Sequence, residues 1–180
     1  MGNTLSKNVH CSMYKHADIV NAIYIVLSDY EPNLEAMCDC ASWMLKELLI
    51  HHRQYEEKDV ELICGKVNKT NHIWVYDKKE NYYIDITSEQ FSSEQPFPIC
   101  FCTQNKEDLD TLGYVPTNEE TAEQVCESFC KMPCVLYNKN EKITKEMILQ
   151  QIKKKLKIGG KKRTYKYKSK NKIDKNQNKY

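Results

Sequence analysis

"NHIWVYDKKENYYIDIT", residues 71–87, holds two short runs of β-branched and aromatic residues around a charged turn. The runs have strand composition, and "DKKE" between them reads as the turn of an antiparallel hairpin. A four-residue connection pairs Tyr76 with Asn81, Trp74 with Tyr83 and His72 with Asp85. Opposed residues of an antiparallel pair point to the same face, and any connection of even length preserves that. The hairpin therefore predicts His72 and Asp85 on one face. A carboxylate so placed can orient an imidazole, whose other nitrogen can take a proton from a nucleophile.

Upstream, "DVELICGKVN", residues 59–68, supplies a third strand, joined through "NKT". Before it lies "NLEAMCDCASWMLKELLIHH", residues 33–52, an apolar helix from near Ala36 to about His51. Cys38, Ala41, Leu45, Leu48 and Leu49 follow one face of it and predict a buried stripe with Cys38 at its head. Cys40 falls on a mixed face with Trp43, Glu47 and His51. The first turn of a helix favours thiolate over thiol, because its unpaired N–H groups and dipole stabilise negative charge. That argument favours Cys38 as a reactive thiol; with Asn33 as the cap, Cys38 falls in the second turn and the effect is weaker.

Farther out, Ile19, Val20, Ile23, Val26 and Leu27 predict a helix over 18–27, which "YEPN" ends. Pro96 and Pro98 mark a loop. "TNEETAEQVCESFCKMP", residues 117–133, reads as another helix, with capping-box spacing at Thr117 and Glu120 and a stripe of Ala122, Val125, Cys126, Phe129 and Cys130. A last helix is expected from Thr144 to about Leu156. The expected organisation is a flexible arm over residues 1–15, one α+β domain over 16–157 and a disordered basic tail over 158–180.

The formal net charge of +2 conceals an asymmetry: residues 153–180 carry 13 Lys/Arg against one Asp, and residues 1–152 carry 14 against 24 Asp/Glu. An acidic domain thus precedes a cationic tail suited to an anionic membrane or to nucleic acid. There is no secretory signal, and the longest apolar run, Ala22–Leu27, is far shorter than the ~20 residues of a membrane span. The nine cysteines are accordingly expected to be mostly reduced and buried, in a cytoplasmic or virion-associated protein that is not secreted. "MGNTLS" fits the N-myristoylation pattern, with Gly2 as the lipidated residue. The Lys-rich tail is similar in composition to the tails of many large-DNA-virus proteins.

Taken together, the order Cys, His, Asp on helix, strand and next strand resembles the transglutaminase-like branch of the papain-like cysteine hydrolases. The resemblance rests on Cys38 with Ser42 four residues on, on His72-Ile73-Trp74-Val75, and on Asp85-Ile86-Thr87 followed by "SEQF", and covers roughly residues 18–92. It implies a papain-like core in which the Cys helix packs on a small antiparallel sheet carrying His and Asp. It also implies acyl chemistry on an amide or peptide bond of a peptide or protein substrate, through a thioester on Cys38. His72 would act as base and then acid, Asp85 would hold its tautomer, and the Cys38 N–H, with Asn33 as a candidate second donor, would stabilise the oxyanion. The family's Cys-x-x-x-small spacing matches Cys38 better than Cys40.

No Gly-rich phosphate loop is present, and no cofactor is expected. Cys-x-Cys occurs at Cys38/Cys40 and Cys100/Cys102, and Cys126, Cys130 and Cys134 are spaced by four. Structural zinc usually uses two Cys-x₂₋₄-Cys or Cys/His pairs, and Cys126 and Cys130 read as core positions of a helix, so no metal is expected. The alternative to an enzyme is a catalytically inactive member of the fold, a membrane-associated structural or binding protein.

Overall fold

The computed structural model describes residues 11–32, 34–91, 100–117, 136–138 and 141–158. Along these residues run α1 (Ala17–Ser28), α2 (Cys38–Arg53), β1 (Val60–Val67), β2 (Thr70–Asp77), β3 (Tyr82–Asp85) and β4 (Phe101–Thr103). There follow α3 (Lys106–Thr111), β5 (Tyr114–Pro116), β6 (Leu136–Asn138), β7 (Glu141–Ile143) and α4 (Lys145–Lys155). Five strands form an antiparallel sheet in the order β4-β3-β2-β1-β5, and β6 pairs with β7 as a separate ribbon. The fold is therefore α+β.

The three central strands lie where their composition puts them. β1 and β2 are joined by the two-residue turn Asn68-Lys69, both residues at positive φ. That is the backbone requirement of a type I′ hairpin turn, and asparagine tolerates it well. The β2–β3 register differs from the expected one by two residues: Asp77 pairs with Tyr82, Tyr76 with Tyr83 and Val75 with Ile84. Asp77 belongs to β2 rather than to the turn, because its buried carboxylate accepts the N–H groups of Lys79 and Glu80 and draws the turn one residue onward. His72 and Asp85 are therefore diagonal neighbours instead of directly opposed. An even shift leaves them on the same face.

Two cores flank the sheet. One gathers α1, α2 and α4 against Val60, Val75 and Ile84. The other, on the opposite face, gathers Val67, Trp74, Phe91, Phe101, Leu109 and Tyr114. β2 is buried on both faces, with Trp74 and Val75 almost wholly enclosed on opposite sides. At Gly65 any Cβ would come within 2.3 Å of the Val115 carbonyl oxygen and 2.6 Å of the Trp74 ring. A glycine here is what lets β5 and the indole close over β1.

Three expectations need correction. The segment 11–15, assigned to the flexible arm, is anchored to the core by two residues: Cys11 and Tyr14 are buried, and Tyr14 donates to Asp77 at 2.7 Å. Of the six described cysteines three are free and three are disulfide-bonded, so the expectation of mostly reduced thiols does not hold among them. Cys11 and Cys102 form a disulfide that ties the start of the domain to β4, and Cys64 is disulfide-bonded as well. The stripe on α2 is also turned at its head. Cys40 is fully buried and Cys38 partly exposed, because the face that includes Met44 widens the buried side toward Cys40. The helix expected over 117–133, Gly2 and the tail beyond residue 158 lie outside the described residues. No helix among the described residues is long and apolar enough to cross a membrane.

Candidate active site

α2 begins at Cys38, with Met37 as its N-cap, so the thiol sits on the first helical residue, where the N-terminal field is strongest. Leu34 and Ala36, just before it, both have φ of 55°. Left-handed backbone at two non-glycine residues is unfavourable and is held here by the burial of Leu34 and Met37 on either side of Ala36. One turn into the helix, the Ser42 hydroxyl donates to the Ile73 carbonyl at 3.1 Å. This bond fastens α2 to β2 beside His72. On the solvent side, Asp39 lies 3.9 Å from the Lys145 ammonium at the start of α4. Burial raises the Asp39 carboxyl, partly offset by the Cys40 N–H and by Lys145.

His72 is enclosed by aromatic rings. Phe91 meets it edge-on at 4.8 Å and Trp74 stacks at 6.2 Å. Its Nε2 bonds Asp85 Oδ2 at 2.7 Å. Asp85, itself buried, is satisfied on both oxygens: the Tyr114 hydroxyl donates to Oδ2 at 2.6 Å, and the Thr87 N–H and hydroxyl donate to Oδ1 at 2.8 and 3.0 Å. These donors keep it ionised. Burial pushes the Asp85 carboxyl up, but His72, Tyr114 and the Thr87 N–H outweigh it and hold it below the usual carboxylate range.

An ionised Asp85 requires a proton on Nε2, so Nδ1 is the nitrogen left to exchange one. Among the described residues Nδ1 is buried with no partner in full hydrogen-bond geometry. The Cys38 sulfur is nevertheless close enough to act on the ring by hydrogen bonding and by charge. Burial works against an imidazolium at His72. The Asp85 charge and hydrogen bond, with the Cys38 sulfur adding to them, outweigh burial and raise the ring to about 10.

The site thus brings together all three residues singled out from sequence, Cys38, His72 and Asp85. Asn33, the candidate oxyanion donor, lies outside the described residues. Tyr114 was missed because it comes from β5, a three-residue edge strand far along the chain with no motif around it. Thr87 was read only as part of the Asp-x-Thr context. Another thiol nearby, Cys100, donates to the Ile86 carbonyl, and burial, with the Asp85 and Glu89 charges, pushes it far up. It is a core residue and not a competing nucleophile. Among the described residues no three His, Cys, Asp or Glu side chains group to hold a metal ion.

No protein-family model matches this chain, and no match is found among curated proteins or solved structures. What can be said of its chemistry therefore rests on the geometry of the site.

Proposed function

We propose that this protein is a cysteine-dependent hydrolase or acyltransferase acting on an amide or peptide bond, with the papain-like, transglutaminase-like organisation that its sequence resembles. The observation that carries the reading is a buried histidine whose Nε2 is held by a fully bonded aspartate, whose Nδ1 has no hydrogen-bond partner among the described residues, and on which the thiol at the first residue of a helix acts. In this reading the Cys38 proton passes to His72 Nδ1, giving a thiolate–imidazolium pair. The thiolate attacks the substrate carbonyl, and the oxyanion is held by the Cys38 N–H. The intermediate collapses, the C–N bond breaks, and the leaving amine takes the proton from Nδ1. Water or an amine then attacks the thioester, losing its proton to Nδ1, and the thiol is restored.

Activated esters provide the test. The full chain mixed with p-nitrophenyl acetate should release a burst of about one equivalent of nitrophenolate and carry an acetyl group on Cys38 by peptide mass spectrometry. Cys38→Ala should abolish the burst, and Cys40→Ala should retain it. A burst that survives Cys38→Ala and disappears with Cys40→Ala would move the nucleophile and undo the assignment.

A second reading, an inactive member of the fold that binds rather than cleaves, is favoured by one observation: the His72 side chain has no solvent exposure, while Cys38 is partly exposed. Absence of any burst, with Cys38 alkylating as an ordinary thiol, would select it.

A further inference from the structure

The bond that the proposed mechanism does not use is the one from Tyr114. Its hydroxyl and His72 Nε2 bond the same oxygen, Oδ2 of Asp85, at 2.6 and 2.7 Å. Tyr114 is buried, and its ring is fixed edge-on to Trp74 at 5.2 Å and stacked on Phe101 at 5.8 Å. Phe101 is the partner of Asp85 across β3–β4, and Tyr114 the partner of Val67 across β1–β5. The two edge strands of the sheet therefore meet over the aspartate, where the Tyr114 hydroxyl donates to Oδ2. Burial and the Asp85 charge push this hydroxyl far above the ordinary phenol range, so it stays protonated and able to donate.

We propose that Tyr114 is a positioning residue for the Cys38–His72 pair, its hydroxyl holding Asp85 as an ionised acceptor turned toward His72 Nε2. The proposal rests on the reading of Cys38 as the nucleophile. Its chemistry is a competition for one proton. While Asp85 is a carboxylate, Nε2 keeps its hydrogen and Nδ1 serves Cys38. Removing a donor from Oδ2 raises the proton affinity of the carboxylate. In the thiolate–imidazolium pair the Nε2 proton can then pass to Asp85, which leaves a protonated carboxyl donating to Nε2 and a neutral ring with its hydrogen on Nδ1. The Cys38 thiolate loses its cationic partner, and the thiol keeps its proton to higher pH. The titratable groups around the ring are Cys38 from α2, Asp85 from β3 and Tyr114 from β5; Cys100, before β4, lies within reach of the Asp85 and Glu89 charges and is unchanged by the substitution.

The test is the rate of Cys38 alkylation by iodoacetamide against pH, on the full chain, with the modified peptide quantified by mass spectrometry. In the wild type the rate should stay high well below the pH at which a free thiol ionises. Tyr114→Phe should lower the rate at neutral pH about tenfold, the size expected for one hydrogen bond to a charged group, and move the inflection upward by about one pH unit. Tyr14→Phe is the control: it removes an equally buried tyrosine bond, 2.7 Å to Asp77, and should cost stability while leaving the profile in place. Should Tyr114→Phe fold poorly, 3-fluorotyrosine placed at position 114, nearly isosteric and a stronger donor, should move the inflection downward. A wild-type profile in Tyr114→Phe, or an unmoved inflection with fluorotyrosine, overturns the proposal. An ordinary thiol profile for wild-type Cys38 overturns the nucleophile reading itself, and the positioning role with it.

Discussion

Asp77 ends β2 and Asp85 ends β3, both carboxylates are buried, and each accepts four hydrogen bonds. At Asp77 the donors are the hydroxyls of Tyr14 and Tyr55 and two N–H groups of the following turn. The network then runs on through the Tyr55 hydroxyl to His16 Nε2 and to Glu80. At Asp85 one donor is an imidazole whose other nitrogen has no hydrogen-bond partner among the described residues. The histidines differ in the same way. His16 has a neutral tyrosine as partner; burial lowers its pKa, and the Arg53 charge lowers it further. His72 has a carboxylate, which raises it against burial. A satisfied buried aspartate is thus a structural device by itself. It becomes chemical when it charges a base that still has a nitrogen to use.

The sharpest way to break the comparison is to neutralise each aspartate in turn. Asp85→Asn should reduce Cys38 alkylation at neutral pH on the order of 10²–10⁴-fold, by removing the charge that sets the His72 tautomer. Asp77→Asn should leave that rate within about twofold and cost about 1–3 kcal/mol in urea unfolding, from weakened buried hydrogen bonds. Equal effects on Cys38 would mean that the two regions are not separable.

The disulfide lies on the Asp77 side, with Cys11 in the same core as Tyr14. Replacing Cys11 and Cys102 together by Ser opens a link with a sequence separation of 91 and should cost about 2–4 kcal/mol, read by denaturant unfolding. The alkylation profile of Cys38 should survive under conditions where the variant is folded. Loss of the profile in the folded variant would show that β4 transmits to Asp85.

The histidines should differ in the pH dependence of stability. His72 is raised in the folded state, so its contribution is complete below about 6.5 and is lost as pH climbs toward about 10. His16 is lowered, so the folded state resists its protonation, and stability falls as pH drops below about 6.5. Each slope should reach at most about 1.4 kcal/mol per pH unit. His72→Gln should flatten the alkaline limb and His16→Gln the acid limb, measured by urea unfolding across pH. The smallest effect is expected at Ala36, whose φ of 55° suits glycine. Ala36→Gly should change stability by less than about 1 kcal/mol, relief of strain being offset by unfolded-state entropy, with slower alkylation if a stiff loop aims Cys38.

Much of the site was legible in one dimension. The hairpin composition, the even spacing between His72 and Asp85 and the apolar helix behind Cys38 are local properties. A strand has a period of two and a helix one of 3.6, so faces can be counted off the chain. The even spacing survived a register error for that reason. What the chain alone left open depended on contacts remote in sequence. The choice of Asp77 as a strand residue followed from its burial under Tyr14 and Tyr55. The exposure of Cys38 over Cys40 was decided by how α2 rolls against the sheet. The Cys11–Cys102 pairing needed two cysteines 91 positions apart to meet. Tyr114 reaches Asp85 from a three-residue edge strand that carries no periodic signal of its own. The sequence by itself therefore determined which residues could do chemistry and which faces they share. Only the tertiary structure decided which donors hold the aspartate ionised and which histidine nitrogen is left free, because a buried hydrogen-bond network is completed by whichever strands happen to close over it.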